Sequence, residues 1–295
     1  MRFLLSVLMV ALFVSCSSDD RTITYPDTPG LAYAESESEF TETYRGLRAS
    51  LQNSDYRIEK EIDFKEYAES LGKRSREAKM ILFSNPSLEV PLLKDNPEMG
   101  MEFPSRILTF EDRDKFVLLA YNNTEYYSRM YGLNSMAAVQ NLESSLSQIV
   151  SDQAGNMTMK NETAMVGKNT ITIPSTNSFN ETFNILRNTI ADDSKVNLIA
   201  EVDHQLNART VGENIRPNKL LLFTTGELEA NLIDRHQLSI MDLPLRLLVW
   251  EDENNKVYVS YSNLLTITDR HGIIGIDKFL EVRGMLADMV ISATN

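Results

Sequence analysis

Three histidines, His204, His236 and His271, are the side chains whose type most directly suggests chemistry, and all lie in the second half of the chain. Their imidazoles, with the carboxylate of Asp203, would make a nitrogen-and-oxygen site for a divalent transition metal. None has the close spacing of a ligand pair on one helix face, so a site requires separate elements to converge. The alternative is that His204 opens a helix, His236 sits in a loop, and His271 closes a helix beside Gly272, where a cation suits the dipole. A second group, Tyr121, Tyr126, Tyr127 and Tyr131 with Asn122 and Asn123, could stack on a sugar or another flat ligand. Its alternative is a set of core rings with hydroxyls at the edge. Glu111-Asp112 and Glu251-Asp252 have the residue types for acid/base work. Adjacent residues at a strand end point apart, however, and each pair opens a polar turn, so turn chemistry is expected. There is no GxSxG elbow, GxGxxG loop or P-loop. No catalytic residue is assigned, and no cofactor is expected unless the metal reading holds.

The one cysteine, Cys16, excludes an intrachain disulfide, and its position predicts a different role. Met1-Arg2 is followed by an apolar run over residues 3–14 broken only by Ser6. That run has the length of a signal-peptide core and is too short to span a bilayer. It ends in Leu12-Phe13-Val14-Ser15-Cys16, which resembles the lipobox of bacterial lipoproteins, with Phe13 bulkier than the usual leucine. Residues 1–15 are thus expected to be removed and Cys16 to accept a lipid that anchors the chain at the outer membrane of the cell envelope, facing the periplasm or the exterior. Residues 16–30, with Pro26 and Pro29, read as a tether. The chain carries −13, and the mature form −14 once the +1 of Arg2 is removed. No stretch concentrates lysine or arginine, so a nucleic-acid partner is not expected.

Internal repetition organises the rest. Shifted by 140 positions, residues 63–132 lie over 203–272 without a gap, with 20 identities in 70 pairs. Leu82-Phe83 pairs with Leu222-Phe223, Leu88-Glu89 with Leu228-Glu229, and Pro104-x-Arg106-x-Leu108 with Pro244-x-Arg246-x-Leu248. At 295 residues with 42% hydrophobic and 24% charged residues, each copy is large and apolar enough to bury its own core. The boundaries are 31–152 for the first repeat, 153–168 for a polar linker and 169–295 for the second.

The elements are clearest in the second copy. Alternation at 170–174 predicts a strand, and Ser175 to Ser178 supply caps for a helix carrying Phe179, Phe183, Leu186 and Ile190 on one stripe. Strands are expected at 196–202 and 219–223, with short helices at 205–212 and about 228–235. Residues 245–250 and 256–261 predict a hairpin across a polar turn. Residues 276–291 predict a terminal amphipathic helix. Hairpins covered by helices imply an α+β class. Each domain is expected to have a mainly antiparallel sheet with helices packed on one face.

Several phrases of the second copy also resemble the family known as domain of unknown function 302. They are Glu201-Val202-Asp203-His204, the run from Arg216 to Phe223, Asp242-Leu243-Pro244-Leu245-Arg246, Trp250-Glu251-Asp252, and Asp269-Arg270-His271-Gly272. The first copy is similar more loosely, with Phe64, Asn96 and Tyr131 in place of the three histidines. The resemblance implies a compact α+β domain with a curved antiparallel sheet that can self-associate, and no settled activity. The expected function is a non-enzymatic binding or interaction module, for a small ligand or an envelope protein, whose two repeats pack together as the subunits of a C2 dimer would. The alternative is a metal-dependent or hydrolytic enzyme centred on the second copy.

Overall fold

The acid pairs do build turns. Asp112 Oδ1 accepts the N–H groups of Asp114 and Phe116, and Asp252 Oδ1 those of Asn254 and Lys256, each at 2.9 Å. In each turn one residue is left-handed, Lys115 at φ 67° and Asn255 at φ 61°. These turns join the central hairpin of each domain in the computed structural model, which describes residues 22–163, 168–275 and 278–295. The signal segment and Cys16, linker residues 164–167 and Ile276 lie outside the described residues.

The first repeat runs β1 (Leu31–Glu35), α1 (Phe40–Gln52), β2 (Arg57–Asp63), α2 (Phe64–Ser70), β3 (Ala78–Ser84), α3 (Pro86–Asp95), a 3-10 turn (Pro97–Met101), β4 (Ser105–Glu111), β5 (Val117–Asn122), α4 (Thr124–Tyr131), α5 (Met136–Ala154) and β6 (Met159–Lys160). The second repeats this order as β7 (Thr170–Pro174), α6 (Phe179–Asp192), β8 (Asn197–Asp203), α7 (His204–Thr210), β9 (Asn218–Thr224), α8 (Glu227–Arg235), a 3-10 turn (Gln237–Asp242), β10 (Leu245–Glu251), β11 (Val257–Ser262), α9 (Leu264–Arg270) and α10 (Lys278–Thr294). The fold is α+β, with two similar domains. Their antiparallel sheets have the orders β2-β3-β4-β5-β1-β6 and β7-β11-β10-β9-β8. A register shift falls at matching places, Ile58/Lys60 and Leu198/Ala200, and such bulges bend a sheet.

Helices α1 and α5 pack on the first sheet, and α6 and α10 on the second. The central strands are buried along nearly their whole length, which requires cover on both faces. For the second sheet that cover is the 3-10 turn Pro97–Met101 of the first repeat, which lies against β9, β10 and β11. Helices α2 with α8 and α3 with α7 also meet across the repeats.

Two stretches differ from the sequence reading. Within the expected linker, Met159 and Lys160 pair with Tyr33 and Ala32 as a sixth strand. A two-residue edge strand held by main-chain bonds leaves no side-chain alternation to read. The last part of the expected tether is packed down. Asn161 Nδ2 donates to the carbonyls of Pro26 and Thr28, both at 2.9 Å. Among the described residues no helix is long and apolar enough to cross a membrane.

Candidate functional site

The Pro-x-Arg-x-Leu phrase of each repeat starts a central strand and places an arginine where an apolar residue would otherwise fall. Arg106 and Arg246 are both buried. Arg106 Nη1 donates to Met241 O at 3.3 Å, and Arg246 Nη1 donates to Met101 O at 3.2 Å. Met101 and Met241 are themselves equivalent positions, so the two bonds form a reciprocal exchange of the kind a twofold interface makes. Glu102 Oε2 accepts from Arg246 at 3.2 Å and, more weakly, from Arg106 at 3.5 Å, while Tyr131 Oη donates to Oε1 at 2.8 Å.

The counterpart of Glu102 is Asp242, one methylene shorter, and it turns to other partners. Its carboxylate accepts two bonds from Arg270 Nη1, at 3.0 and 3.1 Å, and one from His271 Nε2 at 2.6 Å. Burial raises its pKa, but Arg270 and the His271 hydrogen bond outweigh that and hold the carboxyl at about 2. Arg270 continues into the first repeat, donating to Asn122 Oδ1 at 2.8 Å and Pro29 O at 3.0 Å, with its cation 4.1 Å from the Tyr126 ring centre. The sequence reading missed all three arginines as interface residues. The available signal was an arginine inside an apolar strand run, Leu245-Arg246-Leu247-Leu248.

The histidines do not converge. His204 is fully buried, its Nε2 donates to Gly100 O at 3.1 Å, and burial lowers its pKa to about 4. Asp203 caps α7 by accepting the Leu206 N–H at 2.9 Å and pairs with Lys219 at 3.1 Å. His236 and His271 line one cleft together, and burial lowers the pKa of His271 against the opposing pull of Asp242. Among the described residues no group of three or more His, Cys, Asp or Glu side chains is placed to hold a metal ion. Tyr121, Tyr126, Tyr127 and Tyr131 are all buried, so none turns a face to solvent. Tyr121 Oη donates to Glu143 at 2.9 Å.

Two clefts open at the boundary between the repeats, and they are built from equivalent positions. The first, about 470 Å³, is lined by Pro97 with Asn218, Arg216, Trp250 and Asp252 among others. The second, about 330 Å³, is lined by Gln237 with Arg76, Phe110 and Asp112, together with His236 and His271. Arg216, Trp250, Asp252 and Pro97 correspond to Arg76, Phe110, Asp112 and Gln237 by the 140-residue offset. The second cleft has an additional wall, the chain's own residues Thr24, Tyr25, Asp27 and Thr28. In the first, Trp250 is braced by stacking on Tyr258 at 4.6 Å and by donating to Ser260 Oγ at 3.0 Å. Ser260 Oγ in turn donates to Glu98 of the first repeat at 2.9 Å.

The family profile described as "Domain of unknown function DUF302" matches this chain twice, over residues 33–152 and 171–293. Two curated relatives are each named a fluoride-specific ion channel, FluC 1 of Brucella suis biovar 1 and FluC 2 of Brucella melitensis biotype 1. Both are 26% identical over 91 residues, which cover 31% of this chain and 35% and 33% of theirs. The chain thus spans about a third of the length of these relatives. A solved structure, titled an uncharacterized conserved protein DUF302 from Bacillus stearothermophilus, aligns at 14% identity with a TM-score of 0.39, covering 42% of this chain and 98% of that one.

Proposed function

The chain belongs to the DUF302 family, in two tandem copies, and from that premise we propose that it is a non-enzymatic binding module of the cell envelope whose repeats act as one unit. The observation that carries this reading is the open cleft at Trp250, whose walls come from both repeats. Concave sites with a few placed polar groups and an aromatic wall are the usual seats of ligands. The reciprocal arginine exchange supports the single-unit reading, because it ties the same patch of each repeat to the other. Anchoring through a lipid on Cys16 rests on the apolar leader and the small residue before the cysteine. Its test is palmitate labelling of the outer-membrane fraction, abolished by Cys16→Ser.

Trp250 is the sole tryptophan, so its fluorescence reports this cleft alone. We expect a soluble fragment of residues 19–295 to show both a Trp250 spectral change and a higher melting temperature with one ligand class from a panel of peptides, sugars, nucleotides and metals. A ligand held at 100 times its Kd adds about 2.7 kcal/mol of stability. A panel that shifts neither signal would sink the binding reading.

One observation favours the enzymatic alternative. Asp242 accepts the Nε2 proton of His271, which leaves Nδ1 as the basic nitrogen at the second cleft. If that dyad carries hydrolysis or holds a metal, ester turnover or about one tightly held transition-metal ion per chain will disappear in His271→Asn. Elemental analysis and ester-hydrolysis assays decide it, and we expect neither signal in the parent chain.

A further inference from the structure

The additional wall of the second cleft is a segment of the chain's own backbone that docks through its main chain. The N–H of Thr24 donates to Asp112 Oδ2 at 2.7 Å, and the N–H of Thr22 reaches Asp114 Oδ2 at 3.3 Å. Asp112 therefore uses its two oxygens differently, with Oδ1 closing the hairpin turn and Oδ2 receiving a passing main chain. Asp252 is built the same way. Its Oδ1 closes the equivalent turn, and its Oδ2 accepts the Tyr258 hydroxyl at 3.3 Å. Asn254 stands where Asp114 stands.

We propose that the Trp250 cleft binds an extended, basic peptide segment of a partner protein, with Asp252 Oδ2 accepting a main-chain N–H as Asp112 Oδ2 does in the second cleft. This rests on the binding reading above and names its ligand class. Charge sets the sign of the ligand. Asp95, Glu251, Asp252 and Glu253 line the cleft against Lys94 and Arg216, and both cations are engaged, Lys94 with Glu213 at 2.5 Å and Arg216 with Glu251 at 3.1 Å. Trp250 replaces the smaller Phe110 of the second cleft and supplies a wider apolar wall for a side chain or a cation. Extended segments gain affinity from main-chain hydrogen bonds and specificity from side-chain pockets, and this cleft has both kinds of group.

The test is titration of Trp250 fluorescence with a terminally blocked heptapeptide copying residues 22–28 with Tyr25→Lys and Asp27→Lys. Saturable binding to the parent is expected, weakened at least about tenfold by Asp252→Asn. Asparagine keeps a carbonyl oxygen to close the turn but puts an NH2 group where the accepting oxygen stood, so the fold is retained and a melting curve checks it. In the second cleft, Asp112→Asn should speed hydrogen exchange at the Thr24 amide, a readout independent of any added ligand. Equal peptide affinity in Asp252→Asn, or unchanged exchange at Thr24 in Asp112→Asn, overturns the proposed recognition. A peptide that fails while a sugar or nucleotide shifts Trp250 overturns the ligand class and leaves the binding reading standing. Silence from every ligand removes both.

Discussion

Gly100 is a sensitive point of the contact between the repeats, and Gly100→Ala tests it. It is not among the glycines with positive φ, so its backbone does not demand glycine. Its surroundings do. A Cβ there would lie 2.6 Å from Asn218 Oδ1, 2.8 Å from Leu248 Cδ1 and 3.1 Å from the His204 ring, all three in the second repeat and all buried. Ordinary carbon contacts lie at about 3.5–4.0 Å, so at least two neighbours must move. Overpacking of this kind costs about 1–3 kcal/mol, and losing the glycine's unfolded-state freedom returns roughly 0.4–1 kcal/mol. The net expectation is a loss of about 1–2 kcal/mol and a melting point lower by about 2–6 °C. The second variant is Asn218→Ala, which adopts the residue of the first repeat, Ala78. Alone it loses the bond from Asn218 Nδ2 to Pro97 O, 2.8 Å, worth about 1 kcal/mol. Combined with Gly100→Ala it also removes the closest clash. Urea unfolding of the four proteins should therefore give a favourable coupling of at least about 0.5 kcal/mol. A neutral Gly100→Ala, or strictly additive losses, would refute the claim that the repeats meet here as tightly as described.

Other perturbations address single groups. Glu89 is fully buried, accepts the Asn85 N–H at 3.0 Å, and burial pushes its carboxyl from 4.5 up to about 8. Between those values the unfolded chain releases the proton and the folded chain keeps it, so stability falls as pH rises. Glu89→Gln should remove that decline, leaving the variant more stable by roughly 2–4 kcal/mol at pH 8 and near parity at pH 4, measured by urea midpoints. Asp242→Asn leaves Arg270 buried beside a neutral amide and should cost about 3–5 kcal/mol. Because Asp242 is held at about 2 against 3.8 unfolded, its stabilisation is complete above pH 4 and is lost as pH falls through 2. A melting-temperature series should show the variant less acid-sensitive in that window. Lys115 is left-handed at a turn position where the second repeat has Asn255. Lys115→Asn should raise the melting point by about 1–2 °C, as an asparagine tolerates that backbone better, and Asn255→Lys should lower it.

Legibility in the sequence followed the range of each interaction. The strand at Thr170–Pro174, the Ser178-capped helix and the polar turn between β10 and β11 all stand where periodicity and capping put them. The two 3-10 turns were not anticipated, because each is short and its buried side depends on what packs over it. The tyrosines show the same limit. Their spacing marked a cluster, but whether the cluster faced solvent depended on partners such as Glu143 and Arg270.

By itself the sequence determined the duplication, the α+β class and the two acid-closed hairpins, because these follow from side-chain period, local hydrogen-bonding capacity and identity at a fixed offset. Only the tertiary structure decided that His204 is spent on Gly100 and that Arg270 reaches the first repeat. It also decided that one of two equivalent clefts carries the chain's own N-terminal segment while the other presents Trp250. Those outcomes join residues as far apart as 241 positions. No local pattern encodes which buried donor meets which acceptor across that distance. The pairing is settled by burial, where an unpartnered polar group is costly and each one present must find the partner that packing brings to it.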